Sequence, residues 1–140
     1  MKTIDLRSDT VTLPSQEIRD AISNAKLGDD VFQEDPNVNL LESEAALIAG
    51  KESALLVPSG TMGNLISFLV HCQRGTEAIL GNKSHTFIYE AGGISSMGGI
   101  HSHQLQNSDD GMIDLDLIKN AIRKDNVHFP VTSLISLENT

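Results

Sequence analysis

Residues 54–80 constrain the fold most. A short apolar run, Ala54-Leu55-Leu56-Val57, ends at Pro58-Ser59-Gly60. A stretch with Leu65, Phe68, Leu69 and Cys72 at helical spacing follows, and then a second run, Ala78-Ile79-Leu80, that ends at Gly81-Asn82. Runs this short fit strand or helix by periodicity alone, but the Pro and Gly punctuation favours strands. Strand, helix, strand is a βαβ unit, which requires a parallel sheet with helices on its faces. Leu134-Ile135-Ser136-Leu137 adds a further strand. The expected class is α/β, a mostly parallel sheet with flanking helices. The sequence stops just after that last strand with no closing helix, so residues 1–140 read as a single incomplete domain.

The helices carry their own signals. After Pro14, Ile18, Ile22 and Ala25 recur near helical spacing. Asp35-Pro36 is a helix start, with Asp as N-cap and Pro at the first position. Val38, Leu41, Ala45 and Ile48 then share one side, and Gly50 is the stop. Asp114 reads as another N-cap, with Ile113 and Ile118 at hydrophobic-staple positions. That helix is predicted over 115–124, with Arg123 and Lys124 in its last turn to suit the dipole.

Charge excludes whole classes of partner. Ten basic residues face 19 acidic ones, a net of −9. Nucleic acid and anionic membrane surfaces both need clustered Lys and Arg, and no basic patch exists. The longest apolar stretches fall far short of the ~20 residues of a membrane helix. The first residues carry acids where a secretion signal is apolar. One cysteine, Cys72, forms no internal disulfide. A cytoplasmic location is expected.

Val57-Pro58-Ser59-Gly60-Thr61-Met62-Gly63-Asn64 is the strongest candidate for chemistry. A strand passing through Gly into a helix presents unpaired N–H groups at a positive dipole end, which suits a phosphate. A plain βα turn with Thr61 near the cap fits the same string. No GxGxxG occurs, Gly50-Lys51 lacks the upstream Gly of a Walker loop, and Gly93–Gly98 misses the hydrolase elbow by one residue. His85 stands just past the end of a predicted strand, where parallel sheets place ligands; taken alone, an idle loop position is the commoner reading of such a histidine. His101-x-His103 lacks a third ligand, so no metal is expected. His71 reads as surface or packing, Cys72 as a small buried residue, and the acidic loop 28–35 as a solvated turn before a capped helix.

Taken together, these segments resemble the threonine aldolases, within the fold-type-I pyridoxal-phosphate (PLP) enzymes. The matching strings are Asp5-Leu6-Arg7-Ser8-Asp9-Thr10-Val11-Thr12, Gly28-Asp29-Asp30-Val31, Glu34-Asp35-Pro36, and Pro58 through Asn64. Ser84-His85, Tyr89-Glu90-Ala91-Gly92-Gly93 and Leu137-Glu138-Asn139-Thr140 continue the match in family order. The resemblance implies an N-terminal segment plus the first part of the PLP-binding large domain. It implies PLP as cofactor, with Ser59, Gly60 and Thr61 cradling the phosphate and His85 stacking on the pyridine ring near the substrate's β-hydroxyl. His128 matches a second histidine that handles this hydroxyl. Ser8 is implied as a contact to the substrate carboxylate, and Tyr89 as a pocket wall. Asp29 and Asp30 belong to scaffold.

The reaction so implied is retro-aldol cleavage of threonine or allo-threonine to glycine and acetaldehyde, in a homo-oligomer, a tetramer in the family, with sites built between subunits. His85 or His128, directly or through water, is the implied base. The family's PLP lysine, its pyridine-nitrogen aspartate and its carboxylate-binding arginines have no match among these residues. None of Lys2, Lys26, Lys51, Lys83, Lys119 and Lys124 stands at the lysine position. Besides the aldolase reading, an inactive truncated chain and a non-catalytic partner of a full-length homologue fit the sequence.

Overall fold

The computed structural model describes residues 4–139; Lys2 and Thr140, named above, lie outside them. The chain forms two compact units, Met1–Leu56 and Val57–Thr140.

The first unit holds a 3-10 turn at Asp9–Val11, helix α1 (Gln16–Ser23), a second 3-10 turn at Asp30–Phe32 and helix α2 (Pro36–Ala49). Local chemistry sets the bounds. Asp35 Oδ1 accepts the N–H groups of Asn37 and Val38 at 2.8 and 3.1 Å, and Gly50 closes α2 at φ +62°. The acidic loop is a capping device. Asp29 accepts from the Val31 N–H at 2.8 Å, and Asp35 Oδ2 accepts from the Gly28 N–H at 3.3 Å. A side chain at Gly28 would strike the Glu34 carbonyl, so this close approach needs glycine. Bonds from Val38 and Asn37 hold the Asp35 carboxyl below its ordinary range.

One expectation fails here. Residues 54–57 form no strand. The Leu56 N–H donates to Glu42 Oε1 at 2.7 Å, so a side chain takes the place of a neighbouring strand. An apolar run becomes a strand only when another strand pairs with it, and none of the described strands does so.

The second unit carries helices α3 (Gly60–His71), α4 (His85–Ile88), α5 (Gly93–Ser96) and α6 (Leu115–Ala121). Its strands are β1 (Glu77–Gly81), β2 (His101–Leu105) and β3 (Thr132–Ser136), ordered β2-β1-β3 and parallel throughout. The predicted parallel α/β class is therefore what the chain adopts. Central β1 is buried along its whole length. Ala78 and Leu80 join Phe68 and Cys72 of the α3 segment, with Ile94 and Ile100, in one apolar cluster. Burying a side chain the size of Phe68 contributes roughly 2–3 kcal/mol. The Cys72 thiol is pushed up by burial, as suits a packing residue.

Strand β2 was not among the expected runs because His-Ser-His-Gln-Leu is polar. This strand lies at one end of the strand order and none of its residues is fully buried, which tolerates polar side chains. Helix α6 is shorter than predicted. It ends at Ala121 because the Arg123 N–H bonds Thr132 Oγ1 at 3.1 Å and the Arg123 guanidinium turns to Glu77, so neither serves the helix C-terminus.

Candidate functional site

Parallel strands send their outgoing loops to one end of the sheet. The segment after Gly81 and the segment after Ser136 therefore emerge together, and the Glu138 carboxylate accepts the His85 N–H at 2.8 Å. This bond caps α4 from the segment after β3, because the Ser84 side chain at the cap position accepts no backbone N–H of the helix. Gly81 leaves room for a close neighbour. A methyl there would run into the Asn107 amide, itself pinned by the Lys83 N–H at 3.0 Å and the Gly111 carbonyl at 2.8 Å.

The His85 ring is tied down on its Nδ1 side. Nδ1 lies 2.8 Å from Glu90 Oε1, and Asn64 Nδ2 donates to the same oxygen at 2.7 Å. Glu90 is buried, whereas about half of the His85 side chain is exposed (54%). Tyr89 stands beside it, ring centroids 5.4 Å apart and tilted by 49°.

Asn64 lies one turn along α3 from Gly60, so this chain of bonds attaches His85 to the first turns of that helix. Ser59 Oγ accepts the Met62 N–H at 3.1 Å and the Ser59 carbonyl accepts the Gly63 N–H, also at 3.1 Å. The N–H groups of Gly60 and Thr61 are the ones a helix start leaves without an intrahelical acceptor. Gly60 and Thr61 are both exposed, and the space beside the Gly60 Cα is open. Donors, helix dipole and space together fit a phosphate such as that of PLP.

The other expected residues belong to other segments of the chain. Ser8 belongs to the first unit, where its Oγ accepts from the Thr10 N–H at 3.3 Å and caps the first 3-10 turn. His128 sits in the turn before β3, its N–H donating to Asn126 Oδ1 at 2.9 Å. That is the incoming end of the sheet, where the Glu77 N–H meets the Val131 carbonyl at 2.8 Å. Strand β1 spans roughly 13 Å between this end and the one that carries His85. Within one copy the two histidines do not meet.

The incoming end has its own polar centre, which the sequence reading missed. Glu77 is fully buried and accepts from Arg123 Nε at 2.9 Å and Thr132 Oγ1 at 3.2 Å, with His103 Nδ1 at 3.1 Å. His101 Nε2 stands 3.6 Å away. Burial pushes this carboxyl upward, but the bonds from Arg123, His103 and Thr132 outweigh it, and it sits below the ordinary glutamate range. The signal was legible only in part, as an acidic residue heading an apolar run and a His-x-His pair on another strand. Glu90 and Asn64 lay inside matched strings, but nothing local marked them as partners.

Among the described residues, no helix is long and apolar enough to cross a membrane, and no cluster of three His, Cys, Asp or Glu could hold a metal.

Residues 5–140 match the family model described as beta-eliminating lyase. The low-specificity L-threonine aldolase 1 of Arabidopsis thaliana is 53% identical over all of this chain and 40% of its own length. The low specificity L-threonine aldolase of Escherichia coli (strain K12) is 46% identical over 98% of this chain and 41% of its own. A crystal structure from Listeria monocytogenes EGD-E that carries the name L-allo-threonine aldolase superposes with a TM-score of 0.66 at 25% identity. It is covered over 35% of its length by 95% of this chain. The chain thus spans about two fifths of the curated relatives it matches. Its parallel sheet, the helix start at Ser59 and these matches agree, and the chain belongs to the β-eliminating lyase family.

Proposed function

We propose that this chain carries the N-terminal part of a PLP-dependent aldolase that cleaves L-threonine and L-allo-threonine to glycine and acetaldehyde. The observation that supports this most is the bond chain His85–Glu90–Asn64, which ties an imidazole to the helix start best suited to a phosphate. Gly60 and Thr61 would hold the phosphate through their N–H groups, with Ser59 beside them. Bound PLP supplies the electron sink that lets the Cα–Cβ bond of an amino acid break.

The residues of the chain do the rest. His85 packs on the cofactor ring and receives the β-hydroxyl proton at Nε2, directly or through water. Tyr89 walls the pocket next to it, and Ser8 contacts the substrate carboxylate. His128 handles the same hydroxyl only if a second copy of the chain supplies it, consistent with a homo-oligomer. The enzyme works in the cytoplasm on a small amino acid, with no nucleic-acid or membrane partner.

The test is a chimera in which this chain replaces the matching part of one of its aldolase relatives. With PLP it should release acetaldehyde from threonine, and His85→Ala should lower turnover ~10²-fold or more. Near-normal turnover in His85→Ala overturns the assignment. For the 140-residue chain alone, borohydride after incubation with PLP should leave no specific lysine adduct, because none of its lysines matches the family position.

A further inference from the structure

We propose that Glu90 is the positioning residue of His85: it fixes the proton on Nδ1 and leaves Nε2 bare to accept one. The inference rests on the reading of His85 as a base, but its structural content stands on geometry alone. Two donors converge on one oxygen, Asn64 Nδ2 at 2.7 Å and His85 Nδ1 at 2.8 Å, a pattern that suits an ionised carboxylate. A carboxylate only accepts, so the hydrogen in the second bond belongs to the imidazole. Whichever state the ring is in, Nδ1 is then protonated, and the neutral ring keeps its lone pair on Nε2.

Burial makes the arrangement rigid. The Glu90 side chain is 4% exposed, so water does not compete for Oε1, whereas the His85 ring keeps an open side. Asn64 comes from α3 and not from the loop that carries His85, so the orienting oxygen is braced by the same helix whose start receives the phosphate. An acid that orients a base, held from behind by a third group, is the logic of other catalytic triads. The neighbouring backbone is unusual as well: Ala91 has φ +52°, a conformation that non-glycine residues rarely adopt, immediately after Glu90.

The experiment is a long-range proton–nitrogen spectrum of the 15N-histidine-labelled chain at about pH 8, where a free imidazole is neutral. His85 is assigned by the signal lost in His85→Asn. The wild-type ring should carry its proton on Nδ1. Glu90→Ala should release it to Nε2, and Glu90→Gln, whose amide carbonyl can still accept, should keep it on Nδ1. A wild-type proton on Nε2, or an unchanged pattern in Glu90→Ala, overturns the proposal, and the wild-type spectrum decides even if a variant fails to fold. In the chimera, Glu90→Ala should cut kcat ~10-fold or more with little change in KM, and Glu90→Gln should recover most of it. A wild-type chimera that cleaves no threonine would defeat the proposed function while the spectrum still judges Glu90.

Discussion

Glu77 and Arg123 form an ion pair at 2.9 Å in which the carboxylate is fully buried and the guanidinium is largely covered. The Arg123 guanidinium also lies 5.4 Å from the centroid of the Phe129 ring. Removing the guanidinium from a buried carboxylate in such a place is costly. Arg123→Met should destabilise the second unit by about 3 kcal/mol, read by chemical denaturation at neutral pH. A loss near zero would mean that His103 and Thr132 suffice to hold Glu77.

The same centre sets an acid limb. The Glu77 carboxyl lies below its ordinary range in the folded chain, so the unfolded chain binds a proton there first as pH falls. Its stabilisation is fully present above the unfolded value of about 4.3 and is lost as pH drops through the lowered folded value. Thermal midpoints should therefore fall on acidification below about pH 5, and Glu77→Gln should flatten that limb. An unchanged slope in Glu77→Gln would assign the acid response to other carboxylates.

Gly81→Ala tests the packing under His85. The added methyl meets an Asn107 amide that cannot move without giving up its bonds to Lys83 and Gly111. A loss of about 2 kcal/mol is expected, typical of overpacking. Wild-type stability would mean that the 107–111 loop yields freely.

Ala91→Gly should act in the opposite direction. Relief of the positive φ at Ala91 is worth ~1–2 kcal/mol, partly offset by the freer unfolded chain, for a net gain of roughly 0.5–1 kcal/mol. A measured loss of stability would show that the Ala91 methyl packs usefully.

The placement of His128 gives a mixing prediction. If it serves the site from a second copy, His85→Ala and His128→Ala chimeras are each inactive, but mixed oligomers contain sites with both histidines intact. Random pairing of equal amounts should restore about a quarter of wild-type activity. No recovery on mixing would show that a second copy does not supply His128.

Much of the fold was legible because its causes are local. Asp35, Asp114 and Gly50 act within their own neighbourhoods, and α2 and α6 begin where the sequence predicts. Asp29 and Asp30 likewise read as scaffold, and Asp29 proves to be a cap. The apolar runs at 78–80 and 134–137 mark two of the strands, and the first is the central one, which buries both faces as a parallel strand inside a sheet does. The candidate phosphate cradle was visible for the same reason, since a helix start is made by consecutive residues.

The sequence by itself determined the α/β class, the helix starts and the family to which the chain belongs, since all three are written in short contiguous strings. Only the tertiary structure decided which runs find a strand to pair with, so 54–57 stays unpaired while the polar residues 101–105 join the sheet. It also decided which charges meet. Arg123 leaves the end of α6 for a carboxylate 46 residues away, and His85 meets Glu138 and a Glu90 carboxylate that Asn64 holds from another helix. Contacts of that kind depend on chain reversals and burial, and no periodicity or cap signal in a linear sequence encodes them.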